Sequence, residues 1–140
     1  MVTEVACETV LVVDDEQNAR QITKLLLERR GYRVLIAADG DQGLMLAKVE
    51  QPHVILLDVM MPKMNGYETL HRLQDDPDMH GIPVIMVTAR GGEQDIQAAF
   101  QQGAAFHIEK PYEIEDLCRK IDSLILQRKQ QRFHESAGDA

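Results

Sequence analysis

The chain has 140 residues, 44% of them hydrophobic and 27% charged, which fits one globular domain with a hydrophobic core. Its 15 basic and 23 acidic residues give a formal net charge of -8, which argues against direct nucleic-acid binding because phosphate contacts need clustered Lys and Arg. No apolar run is long enough to span a bilayer, and no signal-peptide pattern is present. Cys7 and Cys118 lie far apart without a CxxC motif, which predicts neither a disulfide framework nor a zinc site. We therefore expect a reduced, soluble, cytoplasmic protein that does not contact membranes.

Short runs of apolar and β-branched residues alternate with segments of helical periodicity. The runs predict five strands: Thr9–Val13, Arg33–Ala37, Val54–Leu57, Pro83–Val87 and Ala105–Glu109. After each run, apolar residues recur at helical spacing and predict five helices. The residues that mark these helices are Ile22, Leu25, Leu26 and Arg29; Leu44, Ala47 and Lys48; Tyr67, Leu70 and Leu73; Ile96, Ala99 and Phe100; and Ile114, Leu117, Ile121, Leu124 and Ile125. The alternation predicts a single doubly wound α/β domain with a parallel sheet covered on both faces.

The segment after Leu126, QRKQQRFHESAGDA, loses the apolar stripe of the last helix. We expect residues 127–140 to be a fraying helix end that becomes a flexible tail, or else the start of a linker helix. So short a segment is too small for a DNA-binding or catalytic domain. Both a stand-alone protein and a fragment of a longer regulator therefore remain open.

Polar and charged residues stand where the predicted strands end. Asp14 and Asp15 follow the first run, Asp58 the third, Thr88 the fourth and Lys110 the fifth. In an open doubly wound sheet the functional site lies outside the carboxyl ends of the strands, so these side chains are expected to converge on one edge. Adjacent acids are costly to bury, which indicates that they hold a counter-ion.

The chemistry of these side chains narrows the function. Three carboxylates and one ammonium carry surplus negative charge, and Mg2+ is the divalent cation that best suits an all-oxygen ligand set. With that charge neutralised, one carboxylate can attack phosphorus and form an acyl phosphate, whose oxygens Thr88 and Lys110 can bind. The residues after the first run, DDEQNAR, contain no glycine-rich loop, so no nucleotide or flavin phosphate site is predicted.

Four motifs, LVVDDE, ILLDVMMPKMNG, PVIMVTA and GAAFHIEKP, stand in an order and spacing that resembles the response-regulator receiver domain of bacterial two-component signalling. The resemblance covers Glu8 to Leu126, the expected extent of the domain. It implies a flavodoxin-like fold, with a five-stranded parallel sheet in the order 2-1-3-4-5 flanked by five helices. It also implies a switch that takes a phosphoryl group from a sensor histidine kinase or phosphotransfer protein and then acts on a downstream protein. Such a domain catalyses only its own phosphoryl transfer and autodephosphorylation.

The resemblance assigns roles in phosphoryl transfer to individual residues. Asp58 is the expected phosphoacceptor. Asp14 and Asp15 are expected to hold Mg2+ together with Asp58 and the backbone carbonyl of Met60.

Other assigned residues act on the phosphoryl group after its transfer. Thr88 is the expected switch hydroxyl, and Lys110 is expected to pair with the phosphoryl group. The Lys110–Pro111 peptide bond is expected to be cis. Met60 and Arg90 are the expected gatekeepers of the hydrolysing water, and hydrolysis should be slow because Met60 offers a water no good hydrogen bond.

At His107, three residues before Lys110, the sequence departs from the Tyr or Phe that is usual in the family. We expect Thr88 and His107 to move together when the domain is activated. An imidazole can titrate near neutral pH, and its protonated form should prefer an outward, solvated position, so that acidification opposes activation. The alternative is that His107 is a fixed surface residue on the fifth strand.

Two other functions share some of these features. A magnesium-dependent phosphohydrolase that works through an aspartyl phosphate would need a substrate pocket or cap, for which the loops look too short. A purely structural interaction module would not need the acids, the hydroxyl and the lysine that are all present at the predicted edge.

Several residues also have simpler interpretations. Asp14, Asp15 and Glu16 can cap a helix, a role that for Glu16 is expected to coexist with metal binding. Three methionines are predicted to pack the loop after the third strand: Met60, Met61 and Met64. Four scattered histidines are predicted to lie on the solvated surface: His53, His71, His80 and His134.

Overall fold

A computed structural model describes residues 7–61, 63–89 and 103–138 of the chain, and only the backbone is described over residues 132–138. The five strands are β1 (Thr9–Val13), β2 (Arg33–Ala37), β3 (Val54–Asp58), β4 (Val84–Thr88) and β5 (Phe106–Glu109). The helices in this part of the chain are α1 (Gln17–Arg29), α2 (Gly40–Glu50), α3 (Gly66–Asp75) and α4 (Ile114–Gly138). The helix predicted around Ile96, Ala99 and Phe100 lies outside the described residues.

The strands form one sheet in the order β2-β1-β3-β4-β5, and every neighbouring pair is parallel. This confirms the predicted fold class and strand order. The strand bounds differ from the predicted ones by at most one residue: Asp58 and Thr88 are the last residues of their strands, and β4 and β5 begin at Val84 and Phe106.

The central strands β1, β3 and β4 are buried along their whole length. Because side chains alternate between the faces of a strand, a sheet covered on both sides needs continuous apolar runs. In β1, Leu11 and Val13 pack with residues of α2 and α3, whereas Val10 and Val12 pack on the opposite face with residues of α1 and α4. Two apolar cores therefore hold the sheet in place, and its carboxyl edge is left open to carry the polar site.

The last helix continues to Gly138, so residues 127–138 are helical; of the two expectations for this segment, a continued helix fits it and a flexible tail does not, and its role as a linker stays a prediction. The Gln, Arg and Lys residues that follow Leu126 are good helix formers, and they do not need an apolar stripe to continue the helix. Lys129 also donates a hydrogen bond to Glu8, just before β1, over 3.0 Å. No helix in the described ranges has the length and hydropathy that a bilayer crossing requires.

The surface interpretation of the histidines was wrong for His53. Nδ1 of the half-buried ring accepts a hydrogen bond from the backbone N–H of Thr9 over 2.9 Å, and the backbone N–H of His53 donates to the Thr9 carbonyl over 2.8 Å. Ring and backbone of His53 together tie the start of β1 to the chain before β3. His71 and His80 are exposed, as predicted. The side chain of His134 lies outside the described part of the structure.

The start of α3 is packed against the end of β3. The Asn65 side chain caps the helix by accepting from the Glu68 N–H over 3.0 Å, and the Gly66 N–H donates to the Val59 carbonyl over 2.9 Å. A Cβ atom at Gly66 would lie only 2.3 Å from the Asp58 carbonyl oxygen and 2.7 Å from the Val59 Cα. Only glycine lets the helix approach this closely, so the helix start holds the backbone that carries Asp58.

We expect Gly66→Ala to lower the free energy of unfolding by roughly 1–3 kcal/mol, because the added methyl group must displace backbone rather than a flexible side chain. Gly81→Ala is the matched control, since a Cβ atom there would meet nothing within 4 Å. Urea denaturation of the parent and both variants measures the difference. Equal stabilities of the two variants would show that the close approach at Gly66 is not a constraint.

Candidate functional site

Three carboxylates meet at the carboxyl edge of the sheet. Asp58 is the last residue of β3, and Asp14 and Asp15 follow the neighbouring strand β1. Ligand atoms from the three side chains all lie within 4.8 Å of one another. Asp14 and Asp58 are buried, whereas Asp15 is exposed. The structure thus brings together the three acids that the sequence analysis grouped.

Lys110, which follows the edge strand β5, reaches these acids along the same carboxyl edge of the sheet. Its Nζ lies 3.0 Å from Asp58 Oδ2 and 3.4 Å from Asp14 Oδ2. Its backbone N–H donates to the Thr88 carbonyl over 2.8 Å, which continues the β4–β5 pairing by one residue. The Lys110–Pro111 peptide bond is cis, the isomer that the resemblance predicts.

The charges in this cluster do not balance. Burial raises the pKa of the Asp58 carboxyl; the hydrogen bond from Lys110 and its positive charge act in the opposite direction without cancelling the rise, and the negative charge of Asp14 adds to it. Burial also disfavours the charged form of Lys110, but the hydrogen bond that Lys110 donates to Asp58 and the charges of both acids outweigh this effect, so the pKa of Lys110 is raised. The site therefore keeps its ammonium charged and leaves negative charge uncompensated.

The donor set fits a hard divalent cation. Asp14 Oδ1 accepts from the Glu16 N–H over 2.9 Å and Asp58 Oδ1 accepts from the Met60 N–H over 3.2 Å, which orient the two buried carboxylates. A carboxylate oxygen has lone pairs for further partners, and three clustered carboxylates with surplus charge suit Mg2+. The backbone carbonyl of Met60 as a further ligand stays a prediction.

A hydroxyl and an imidazole stand beside the acids. Thr88, at the end of β4, is only 1% exposed, and its Oγ1 lies 2.7 Å from Nε2 of the half-buried His107 on β5. His107 is therefore not an isolated surface residue, because the ring contacts the residue with which it was expected to move. Arg90, the other expected gatekeeper, lies outside the described residues.

Two simpler interpretations need correction. Glu16 occupies the N-cap position of α1, but its side chain makes no capping hydrogen bond; the Asp14 carboxylate accepts from the Glu16 N–H instead. Loop packing holds for Met61 and Met64, which are buried, and is wrong for Met60, whose side chain is 69% exposed. The exposed thioether of Met60 is thus close to Asp58 along the chain without being part of the core.

Two contacts of α1 with the site were not predicted from the sequence. Arg20 Nη1 donates to the Asp14 carbonyl oxygen over 2.8 Å, and Thr23 Oγ1 lies 3.1 Å from the hydroxyl of Tyr112, two residues after Lys110. The available signal was weak: Thr23 is a hydroxyl residue on the buried face of an otherwise apolar helix stripe.

Fold and site together define a class of protein, the signalling domains that carry an acidic cluster and a lysine at the carboxyl edge of a five-stranded parallel sheet. The model of the family described as response regulator receiver domain matches residues 10–122. The chain belongs to this family, and its function is phosphorylation-dependent signal transduction in two-component systems.

Individual relatives agree. Protein PilH of Pseudomonas aeruginosa is 35% identical over 116 residues, which cover 83% of this chain and 96% of PilH. The DNA-binding dual master transcriptional regulator RpaA of Synechocystis is 36% identical over 116 residues, which cover 83% of this chain and 48% of that protein. A solved receiver domain protein from Methanospirillum hungatei superposes with a TM-score of 0.83 at 30% identity, covering 90% of this chain and 99% of that one. The chain thus spans about half the length of the transcriptional regulators that it matches.

We expect Asp58→Asn to raise the free energy of unfolding at pH 7 in metal-free buffer. Because the folded-state pKa of Asp58 is raised, ionisation of this carboxyl destabilises the folded parent as the pH rises through that value. The gain should therefore shrink as the pH falls to about 3, where Asp58 is protonated in both folded and unfolded states. Asp15→Asn, at an exposed position, is the control and should show a smaller gain; denaturation with EDTA at both pH values measures this. A gain of equal size at both pH values would contradict the explanation.

Proposed function

We propose that this chain receives a phosphoryl group on Asp58, with Mg2+, from a sensor histidine kinase or a phosphotransfer protein in the cytoplasm, and that phosphorylation switches a protein-interaction surface. The observation that carries the proposal is a buried carboxylate that contacts the Lys110 ammonium and lies beside two further acids. A lone acid at a strand end would not need these neighbours.

Asp14, Asp15 and Asp58, with the Met60 carbonyl, would hold Mg2+, which when bound offsets the negative charge on the acids and on the incoming phosphoryl group. An Asp58 carboxylate oxygen attacks the phosphorus atom of a phosphohistidine; the P–O bond forms as the P–N bond breaks, and the departing imidazole takes a proton from water. Lys110, already 3.0 Å from Asp58 Oδ2, pairs with one phosphoryl oxygen, and the Thr88 hydroxyl donates to another. Attack of water on phosphorus later restores the carboxylate.

The switch would begin at Thr88. When its hydroxyl turns to the phosphoryl group, the 2.7 Å contact with His107 must change, and this passes the event to the outer strand β5. Such a change biases a two-state equilibrium only if the states differ by a few kcal/mol. The surface formed there binds the downstream protein, and the chain itself does not contact nucleic acid or membranes. It catalyses only its own phosphoryl transfer and dephosphorylation, either as a stand-alone receiver or within a longer regulator.

Acetyl phosphate with Mg2+ tests the proposal, with mass spectrometry of the intact protein as readout. The parent should gain one stable phosphoryl adduct, Asp58→Asn should gain none, and the exposed control Asp75→Asn should behave as the parent. An undiminished adduct on Asp58→Asn would overturn the assignment. Rapid multiple turnover of the donor without a stable adduct would favour the phosphohydrolase, and no labelling of the parent would favour an interaction module without chemistry.

Titration by NMR tests the metal site. Binding in the millimolar range is expected for a hydrated ion held by one or two carboxylates. Asp15→Ala should remove binding and Asp14→Ala should weaken it, since Asp14 is expected to act through water. Parental affinity in both variants would place the ion elsewhere.

Met60→Asn should speed hydrolysis of the aspartyl phosphate several-fold. The exposed thioether of Met60 follows Asp58 by two residues and cannot orient a water well, whereas an amide can. Met60→Leu, which removes the sulfur and adds no polar group, is the control and should keep the slow parental rate. Loss of the adduct is followed after removal of the donor. Asparagine slower than leucine would contradict the role of Met60 as gatekeeper, and Arg90 remains the predicted second gatekeeper.

Acidification should oppose activation through His107. Charging the half-buried imidazole that contacts Thr88 is penalised, so the protonated ring should favour the outward, solvated position. The phosphorylation-induced NMR shift changes are compared between about pH 6 and 8, the range that brackets ordinary imidazole titration, in the parent and His107→Tyr. The parent should lose response at the acid end and the tyrosine variant should not. Identical responses would show that His107 is not a proton-sensitive part of the switch.

A further inference from the structure

The contact between Lys110 and the acids is not set by sheet hydrogen bonding alone. Asp14 follows β1 and Lys110 follows β5, and two strands, β3 and β4, lie between these in the sheet. Lys110 Nζ nevertheless lies 3.4 Å from Asp14 Oδ2 and 3.0 Å from Asp58 Oδ2. Because a lysine side chain is flexible, these short distances from Lys110 Nζ to the two acids require that the loop carrying Lys110 is itself held in place.

One end of that support is Arg20. Its Nη1 donates to the backbone carbonyl oxygen of Asp14 over 2.8 Å, from the first turn of α1. A hydrogen bond from a guanidinium group is charge-assisted and stronger than a neutral one. The helix therefore holds the backbone of the loop that presents Asp14 and Asp15.

The other end is a pair of hydroxyls. Thr23 lies three residues after Arg20 on α1 and is 8% exposed. Its Oγ1 lies 3.1 Å from the hydroxyl oxygen of Tyr112. Tyr112 follows Lys110 by two residues, across the cis bond to Pro111. Burial raises the pKa of Tyr112, so its hydroxyl keeps its proton near neutral pH. Residues three apart on a helix share a face, so one face of α1 contacts both the acid-bearing and the lysine-bearing loops.

We propose that Thr23 and Tyr112 are positioning residues for phosphoryl transfer: together with Arg20 they make α1 a brace that sets Lys110 over Asp58 and Asp14. The proposal rests on Asp58 being the phosphoacceptor. Neither hydroxyl touches the phosphoryl group; each acts through the loop that carries Lys110.

Single changes can separate positioning from stability. Thr23→Val keeps the side-chain shape and removes the hydroxyl, whereas Thr23→Ser keeps the hydroxyl and removes a buried methyl group. Positioning predicts that Thr23→Val and Tyr112→Phe each slow phosphorylation of Asp58 by acetyl phosphate at saturating Mg2+, roughly three- to tenfold, the effect of one lost hydrogen bond. Thr23→Ser should keep the parental rate while being the less stable Thr23 variant in urea.

The double variant Thr23→Val with Tyr112→Phe should be no slower than either single variant, because both remove the same hydrogen bond. Tyr32→Phe is the matched control. Tyr32 precedes β2, at the edge of the sheet opposite β5, and its hydroxyl donates to Asp122 on α4. Removing this hydroxyl should leave the phosphorylation rate unchanged.

Each outcome has one meaning. A parent without an adduct on Asp58 overturns the proposed function. A labelled parent overturns the brace alone if Thr23→Val and Tyr112→Phe react at the parental rate, if their effects multiply in the double variant, or if the rates of the Thr23 variants simply follow their stabilities.

Discussion

Two buried carboxylates beside one ammonium group are the constraint on which the rest of the structure depends. Burial is the main reason that the pKa of Asp58 is raised; Lys110 offsets only part of the rise, and the negative charge of Asp14 adds to it. Water would weaken the repulsion between Asp14 and Asp58, but both acids are buried where β1 and β3 end, and these strands are otherwise apolar apart from Thr9. The fold therefore holds uncompensated negative charge at this edge, which a bound cation would offset.

A parallel sheet makes this arrangement possible because the carboxyl ends of all its strands lie at one edge. Two apolar cores, one on each face, stabilise the sheet independently of the edge. Residues at the edge can then supply charge and reach to the site, because the apolar packing lies on the two faces of the sheet. Gly66 shows where this independence ends, because the start of α3 packs directly against the backbone of Asp58 and Val59.

Much of the site could be predicted from the sequence because its members follow strands that are recognisable as apolar runs. Asp14, Asp58 and Lys110 needed no knowledge of side-chain contacts, only the rule that parallel strands end together. Contacts between distant, unremarkable residues could not be predicted in this way: Thr23 meets Tyr112 across 89 positions, and His53 accepts from the Thr9 backbone across 44. The sequence left the extent of α4 open between a fraying end and the start of a linker helix, because no apolar stripe continues after Leu126.

The close packing at Gly66 gives the two halves of the site unequal freedom. On the side of β3, the backbone of Asp58 is clamped between a neighbouring strand on each flank and the first turn of α3. On the other side, β5 is an edge strand, and within the described residues β4 is its one neighbour in the sheet. The backbone of Asp58 is therefore more tightly constrained than β5, the strand at the edge of the sheet. If Asp58 is the phosphoacceptor as proposed, we expect its phosphorylation to displace Thr88, His107 and β5 and to leave the backbone of Asp58 in place.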